Sequence, residues 1–345
     1  MNFKPGFLFV FLFFLFGCIS QNSSPTGEIV YTPVLTIYTY DSMVSEYGLG
    51  PKVVPAFEEK CNCKVKMLAK GDAGQVLTTL ILEKENPKAD VVIGIDNSMA
   101  SRAISADVLE EFTPENIALV SEELRFGNGY LTPYDYGYFA FVYDSDKINF
   151  PLNNFDSLLD PTLTKSIVIQ NPKTSSPGLG LLLWTVNVYG DPGYKEFWKK
   201  LKPNILTVTD SWDESAGLFA AGEAPIYFSY ATSPPYYAEA EGKTNILGAR
   251  FNEGHYVQIE GMGIVKGTKN RKLAEQFIEF SLTEKFQKEI PLHQYMLPAN
   301  ENVSVPKSFE DYAIVPHATL QLDSDLVEQK QGEWISEWEK IIISG

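Results

Sequence analysis

The sequence predicts an α/β chain folded into two lobes, and three observations lead there. Its 345 residues exceed what a single core usually fills. Behind an apolar leader, strand and helix patterns alternate as β-α-β-α-β, which implies parallel strands joined by helical crossovers. Two long extended segments, Tyr134–Asp144 and Tyr256–Val265, then suit a chain that crosses from the first lobe to the second and later returns.

Each element has its own warrant. Val34 to Tyr40 alternates and is rich in β-formers, a first strand. Asp41 and Ser42 stand at its end, followed by an amphipathic helix from about Pro51 to Lys60. Cys63 to Ala69 reads as the second strand and leads into Gly71-Asp72-Ala73-Gly74. A helix over Gln75–Lys84 precedes the apolar run Ala89–Ile95, a buried strand. Ligands of such sheets gather at the carboxyl ends of the strands, where Tyr40, Asp41, Asp72, Asp96 and Asn97 fall.

In the second lobe, Ser166–Ile169 is a buried strand that turns through Gln170–Ser175 into a helix running to about Val188. Ser176 suits the N-cap and Pro177 the first helical position. Gly178 and Gly180 leave the first turn bare, so that a ligand can approach the backbone. The free N–H groups, the helix dipole and the hydroxyls of Thr174, Ser175 and Ser176 suit an anion or a polar oxygen. An ordinary capped helix start is the alternative. Ser211-Trp212-Asp213-Glu214 is a capping box opening a helix that ends at Gly222. Ala224–Tyr230 is a strand and Ala231–Tyr237 the loop at its end. A helix over Arg271–Leu282 and a last one over Leu326–Ile343 follow; the stripe Trp334, Ile335, Trp338 reads as packing. The expected division is 1–17 leader, 18–33 tether, 34–134 first part of lobe 1, 135–258 lobe 2, and 259–345 return to lobe 1 with the C-terminal helix.

Composition narrows the function. With 28 basic against 44 acidic residues the net charge is −16, and loss of the leader, which holds one basic and no acidic residue, adds one more negative charge. Nucleic acid and anionic membrane surfaces are therefore disfavoured as partners, whereas a cationic ligand is compatible. Lys4 and the unbroken apolar run Phe7–Phe16 form a leader too short to span a bilayer permanently. Leu15-Phe16-Gly17-Cys18 resembles a lipoprotein cleavage box, with Cys18 the lipid acceptor; a plain signal peptide is the rival. The expected location is the cell surface or the periplasmic face, anchored through Cys18. Cys61 and Cys63 are too close for a typical relaxed disulfide and match no zinc spacing, so a strained bridge and two free thiols both stay open.

Chemistry-bearing motifs are few. The three histidines, His255, His293 and His317, are scattered, and neither a nucleophile elbow nor a phosphate loop occurs. No catalytic residue, metal or cofactor is expected. What recurs is an aromatic beside a short polar residue at a strand end or helix start: Tyr40-Asp41, Ser211-Trp212, Tyr230 with Thr232 and Ser233, and Tyr236. Aromatic faces hold flat or cationic rings and hydroxyls orient them, so these four places predict a binding cleft.

Several long blocks resemble the thiamine-binding, substrate-capturing components of bacterial ABC importers. They are Val34–Ser42, Cys61-Asn62-Cys63, Asp135–Asp144, Thr174–Trp184, Phe251–Tyr256 and Trp334–Trp338. The resemblance runs from about Val34 to the C-terminus and implies a two-lobed type II periplasmic-binding-protein fold, monomeric, closing on thiamine or its phosphates for delivery to a permease. Carried over by position, the family's contacts fall on Asp72 and Ala73, Ser175 and Ser176, Trp212, and Tyr230, Ala231, Thr232 and Ser233, with Tyr40 and Tyr236 lining the same cleft. The implied roles are ring stacking by Trp212, Tyr230 and Tyr236, a counter-charge from Asp72, and hydroxyls from Ser175, Ser176, Thr232 and Ser233 on the ligand's tail. Ala73 stands where relatives carry glycine, Ala231 where they carry threonine, and Tyr47 where a tryptophan is familiar. Two rivals share the architecture: a ferric-iron-binding protein using Tyr236 and Tyr237, and a thiaminase-type enzyme, which needs a cleft cysteine.

Overall fold

Strand order organises the molecule. A computed structural model describes residues 1–2 and 32–343; residues 3–31, which hold Cys18 and nearly all of the leader and tether, lie outside the described residues, and everything below belongs to the unit that begins at Pro33. Its strands are β1 (Val34–Thr39), β2 (Lys64–Ala69), β3 (Val91–Asp96), β4 (Leu109–Glu110), β5 (Thr132–Asp144), β6 (Ile167–Gln170), β7 (Ile205–Thr209), β8 (Ile226–Tyr230), β9 (Ile246–Gly248), β10 (His255–Val265), β11 (Leu297–Pro298) and β12 (Thr319–Leu320). The main path runs β2-β1-β3-β10-β5-β8-β6-β7. β1 is parallel to β2 and β3, and β6 is parallel to β7 and β8. Between these two parallel sets lie the crossing strands β5 and β10, antiparallel to each other. The first half of β5, as far as Tyr138, pairs with β10, and the second half, from Phe139, pairs with β8. One strand thus belongs to both lobes.

The helices are α1 (Asp41–Val44), α2 (Leu49–Cys61), α3 (Ala73–Leu82), α4 (Ala100–Ser105), α5 (Ser176–Tyr189), α6 (Gly193–Leu201), α7 (Trp212–Ala220), α8 (Ser233–Ala240), α9 (Arg271–Ser281), α10 (Glu284–Gln287), α11 (Ile290–His293), α12 (Lys307–Tyr312) and α13 (Ser324–Ile342). β3 is buried along its whole length, as a parallel strand covered on both faces must be. α5 is buried all round through its first three turns, the mark of a helix driven into a core. Around it Phe155 meets Trp184 at 4.7 Å, Phe251 at 4.9 Å and Phe197 at 5.3 Å, all at steep angles. Trp334 and Trp338 of α13 are buried, the latter edge-on to Trp198 of α6 at 5.7 Å.

Three local expectations are revised. The N-cap of α5 is Ser175, not Ser176: its Oγ accepts from the Gly178 N–H, and Pro177 occupies the second helical position. α3 begins at Ala73, two residues early, because Asp72 caps it with a reciprocal box, its own N–H donating to Gln75 Oε1 at 2.9 Å. Ser233–Tyr237 is not a loop but the start of α8. Its Pro234 and Pro235 fall in the first turn, where a missing N–H breaks no helical bond. The cysteine alternatives also resolve: Cys61 and Cys63 form a disulfide that joins the end of α2 to the start of β2 across Asn62, a left-handed C-cap with φ 50°.

Candidate ligand-binding site

A cavity of about 370 Å³ opens between the two half-sheets, at the carboxyl ends of β1 and β8; that is within the usual size of a small-molecule site. Seven of the sequence-predicted residues line it: Tyr40, Asp72, Ser176, Trp212, Tyr230, Ser233 and Tyr236. Four others do not. Ser175 sits just beneath as the α5 cap, and Ala73 donates its N–H to Asp72 Oδ1 at 2.7 Å. Ala231 packs in a small cluster with Ala140 and Ile314, and the Thr232 hydroxyl is buried without a partner.

The wall from the second lobe is aromatic. Trp212 opens α7; Ser211 caps that helix by accepting from the Glu214 N–H at 3.2 Å. Trp212 Nε1 donates to Ser229 Oγ at 2.9 Å, and that oxygen lies 2.8 Å from Ser233 Oγ. The Tyr230 ring stands 6.4 Å away, tilted by 52°. Tyr236, 37% exposed, meets Tyr295 edge-on at 5.1 Å. The Tyr237 hydroxyl is engaged with that of Tyr227 at 3.0 Å.

The floor is acidic and hydroxyl-rich. Tyr40 and Tyr134 both donate to Glu260 Oε2, and their hydroxyls lie 2.7 Å apart. Gln294 donates to the Tyr40 hydroxyl. Gln258 Nε2 lies 3.1 Å from both Asp96 Oδ2 and Ser176 Oγ, tying the first strands to the start of α5. Burial, reinforced by Glu260's charge, pushes Asp96 up to about 7. Burial and then the charges of Asp72 and Asp41 push Asp213 up to about 6. Burial also raises Asp72, against the pull of the Ala73 N–H, the Ser175 hydroxyl and the Trp212 N–H. Among the described residues lining the cavity, Asp72, Asp213, Glu241 and Glu260 are acidic and none is lysine or arginine. Acids raised in this way favour any incoming positive charge.

The lobes meet at one edge of the cleft. Asp72 Oδ2, from the first lobe, accepts the Trp212 N–H of the second at 3.0 Å. A Cβ on Gly74 would stand 2.6 Å from the Thr174 carbonyl oxygen, so only glycine permits this approach of backbone to backbone. Sequence reasoning missed Glu260, Tyr134 and Asp135 of the floor. Their signal was present: two acids, Asp135 and Glu260, interrupt extended segments otherwise fit for burial.

A cleft walled by two half-sheets, with the chain crossing behind it, defines a solute-binding protein. The chain belongs to the family of bacterial extracellular solute-binding proteins, whose profile matches residues 86–318. It is 39% identical over 319 residues to the thiamine-binding periplasmic protein of Escherichia coli (strain K12), covering 92% of this chain and 96% of that relative. A solved periplasmic thiamin binding protein superposes with a TM-score of 0.86 at 39% identity, covering 90% of this chain and 96% of that one. The ferric binding protein from Campylobacter jejuni shares the fold alone, with a TM-score of 0.74 at 20% identity, covering 89% and 99% of the two chains.

Proposed function

We propose that this chain captures thiamine outside the cytoplasm, with its mono- and diphosphate as further ligands, and hands it unaltered to the permease of an ABC importer. The observation that carries this is the pairing of an aromatic wall with an acidic floor and no lysine or arginine in the lining. That combination fits a flat ring bearing a permanent positive charge, for which a desolvated cation–π contact contributes about 2 kcal/mol or more. Relatives named for thiamine binding support it. In this reading Trp212, Tyr230 and Tyr236 hold the rings, Asp72 and Glu260 face the charge, and Ser176 and Ser233 meet the tail. The thiaminase rival lacks support, since Cys61 and Cys63 are bonded to each other and neither lines the cavity. Lobe limits near 134/135 and 258/259, and a lipid anchor on Cys18, belong to the same proposal.

Titration calorimetry with thiamine, and mass spectrometry of the small molecule that co-purifies, test it. One thiamine bound per chain, recovered intact after incubation with aniline, is the expected result; no binding, or conversion of the vitamin, overturns it. Cys18→Ser is expected to release the protein from the membrane fraction.

A further inference from the structure

At the floor of the cavity, Glu260 of β10, which lines it, and Asp135 of β5 stand opposite each other in the antiparallel pairing of the crossing strands. They are 0% and 4% exposed. Like charges directly opposite on a sheet repel, and a buried charge without a partner is costly. Glu260 has donors, the hydroxyls of Tyr40 and Tyr134. Asp135 has none in hydrogen-bonding geometry at either oxygen.

Among the described residues lining the cavity beside Glu260 there is no lysine or arginine. From the first lobe, Asp72 ahead of α3 and Asp96 at the end of β3 add negative charge. On its own strand the neutral Gln258 bridges it to Asp96. From β8 comes the hydroxyl of Tyr230. At the end of α11, His293 and the neutral Gln294 line the cavity. Two opposed carboxyls with no lysine or arginine lining the space above them, and with His293 paired to Glu289, can be neutralised by a proton or by a ligand's charge.

We propose that Asp135 and Glu260 form a proton-exchange pair: a proton held on the pair in the empty cleft is expelled when a cation enters. The step breaks one carboxyl O–H bond, the proton passes to solvent, and the carboxylate left behind faces the cationic ring; nothing is oxidised or reduced. The inference rests on the thiamine reading above. Burial and Glu260's charge hold Asp135 well above the usual carboxylate range. Burial, then the charge of Asp72, lifts Glu260 to about 7 against its two tyrosine donors. Two tyrosine hydroxyls favour the charged form of Glu260, whereas Asp135 has no donor in hydrogen-bonding geometry to favour its own, so Asp135 keeps its proton and Glu260 is the group that ionises. Because the free cleft binds the extra proton below that point and the loaded cleft does not, affinity falls as pH drops below about 7, by up to roughly tenfold per pH unit.

The test is titration calorimetry at about pH 6 in buffers of different ionisation enthalpy, which counts the protons released on binding. Thiamine is compared with its neutral thiophene isostere, in which carbon replaces the charged ring nitrogen while the aminopyrimidine is kept. Thiamine is expected to release close to one proton more than the isostere. Glu260→Gln is expected to abolish that excess while weakening binding. Asp135→Asn removes the opposing acid, so it is expected to move the pH of maximal release downward, and it serves if Glu260→Gln fails to fold. Equal proton counts for the two ligands, or an unchanged excess in Glu260→Gln, overturn the exchange while leaving thiamine capture standing. A failure to bind thiamine at all overturns both.

Discussion

Trp184 and Trp212 belong to the same lobe, yet their surroundings differ in kind. Trp184 is 0% exposed, set edge-on against Phe155 and tilted against Phe251, and its Nε1 has no partner. Trp212 lines the cavity, with its Nε1 engaged by Ser229. Tyr40 shows the same pattern, its hydroxyl held at the floor by Glu260 and Gln294. A core ring is positioned by neighbours on every side, whereas a cleft ring is held at its polar tip and keeps a face for the ligand.

That contrast predicts opposite phenotypes. Trp184→Ala should cost the most, about 3–5 kcal/mol of stability from the cavity it leaves, while the folded fraction keeps its affinity for thiamine. Denaturant unfolding alongside ligand titration checks this, and a matching loss of affinity would erase the distinction. Trp212→Ala should do the reverse, weakening thiamine and thiamine monophosphate alike by about 1–3 kcal/mol, by analogy with base–aromatic stacking. Unchanged affinities for both would make Trp212 a wall without contact.

The acidic floor sharpens the comparison further. Asp96 and Glu260 have folded-state values near 7, above their unfolded ones, so their contribution to stability is full at low pH. It is lost as pH rises from about 4 to about 7. Glu260→Gln should flatten that loss and stabilise the empty protein at pH about 8 by on the order of 1 kcal/mol, readable as a higher midpoint of unfolding. The smallest effects belong to the serines. Ser176→Ala should cost about 0.5–1.5 kcal/mol of binding, more for the phosphorylated ligands, because a charged acceptor gains most from a donor. Ser175→Ala should instead lower stability by about 1 kcal/mol as a lost cap. Calorimetry with both ligands separates the two.

Periodicity and punctuation made most of the fold legible. The buried run Val91–Ile95 of β3, the amphipathic α9 and the strand-turn-helix around Ser175 all declare themselves within a few residues. The helix at Ser233 was hidden because prolines signal a turn unless their place in the first turn is known. The aromatic wall was readable because Trp212, Tyr230 and Tyr236 each sit beside a turn signal. The floor was legible only in part: Asp135 and Glu260 stand out as acids in extended segments, but they and Tyr134 are brought together by pairing β5 with β10, more than a hundred residues apart in sequence, and no local pattern encodes that register.

The position of β10 has a consequence for how the chain folds. It lies between β3 and β5, so the sheet of the first lobe is completed by a strand late in the sequence. The Asn97 side chain and the Ile259 N–H it accepts from are 162 residues apart. A chain emerging N-terminus first therefore carries β1, β2 and β3 for most of its synthesis with one flank of β3 unpaired. Closing so long a loop costs entropy before any contact compensates, and such topologies fold slowly. The first lobe is therefore complete only once β10 has been made and has paired with β3.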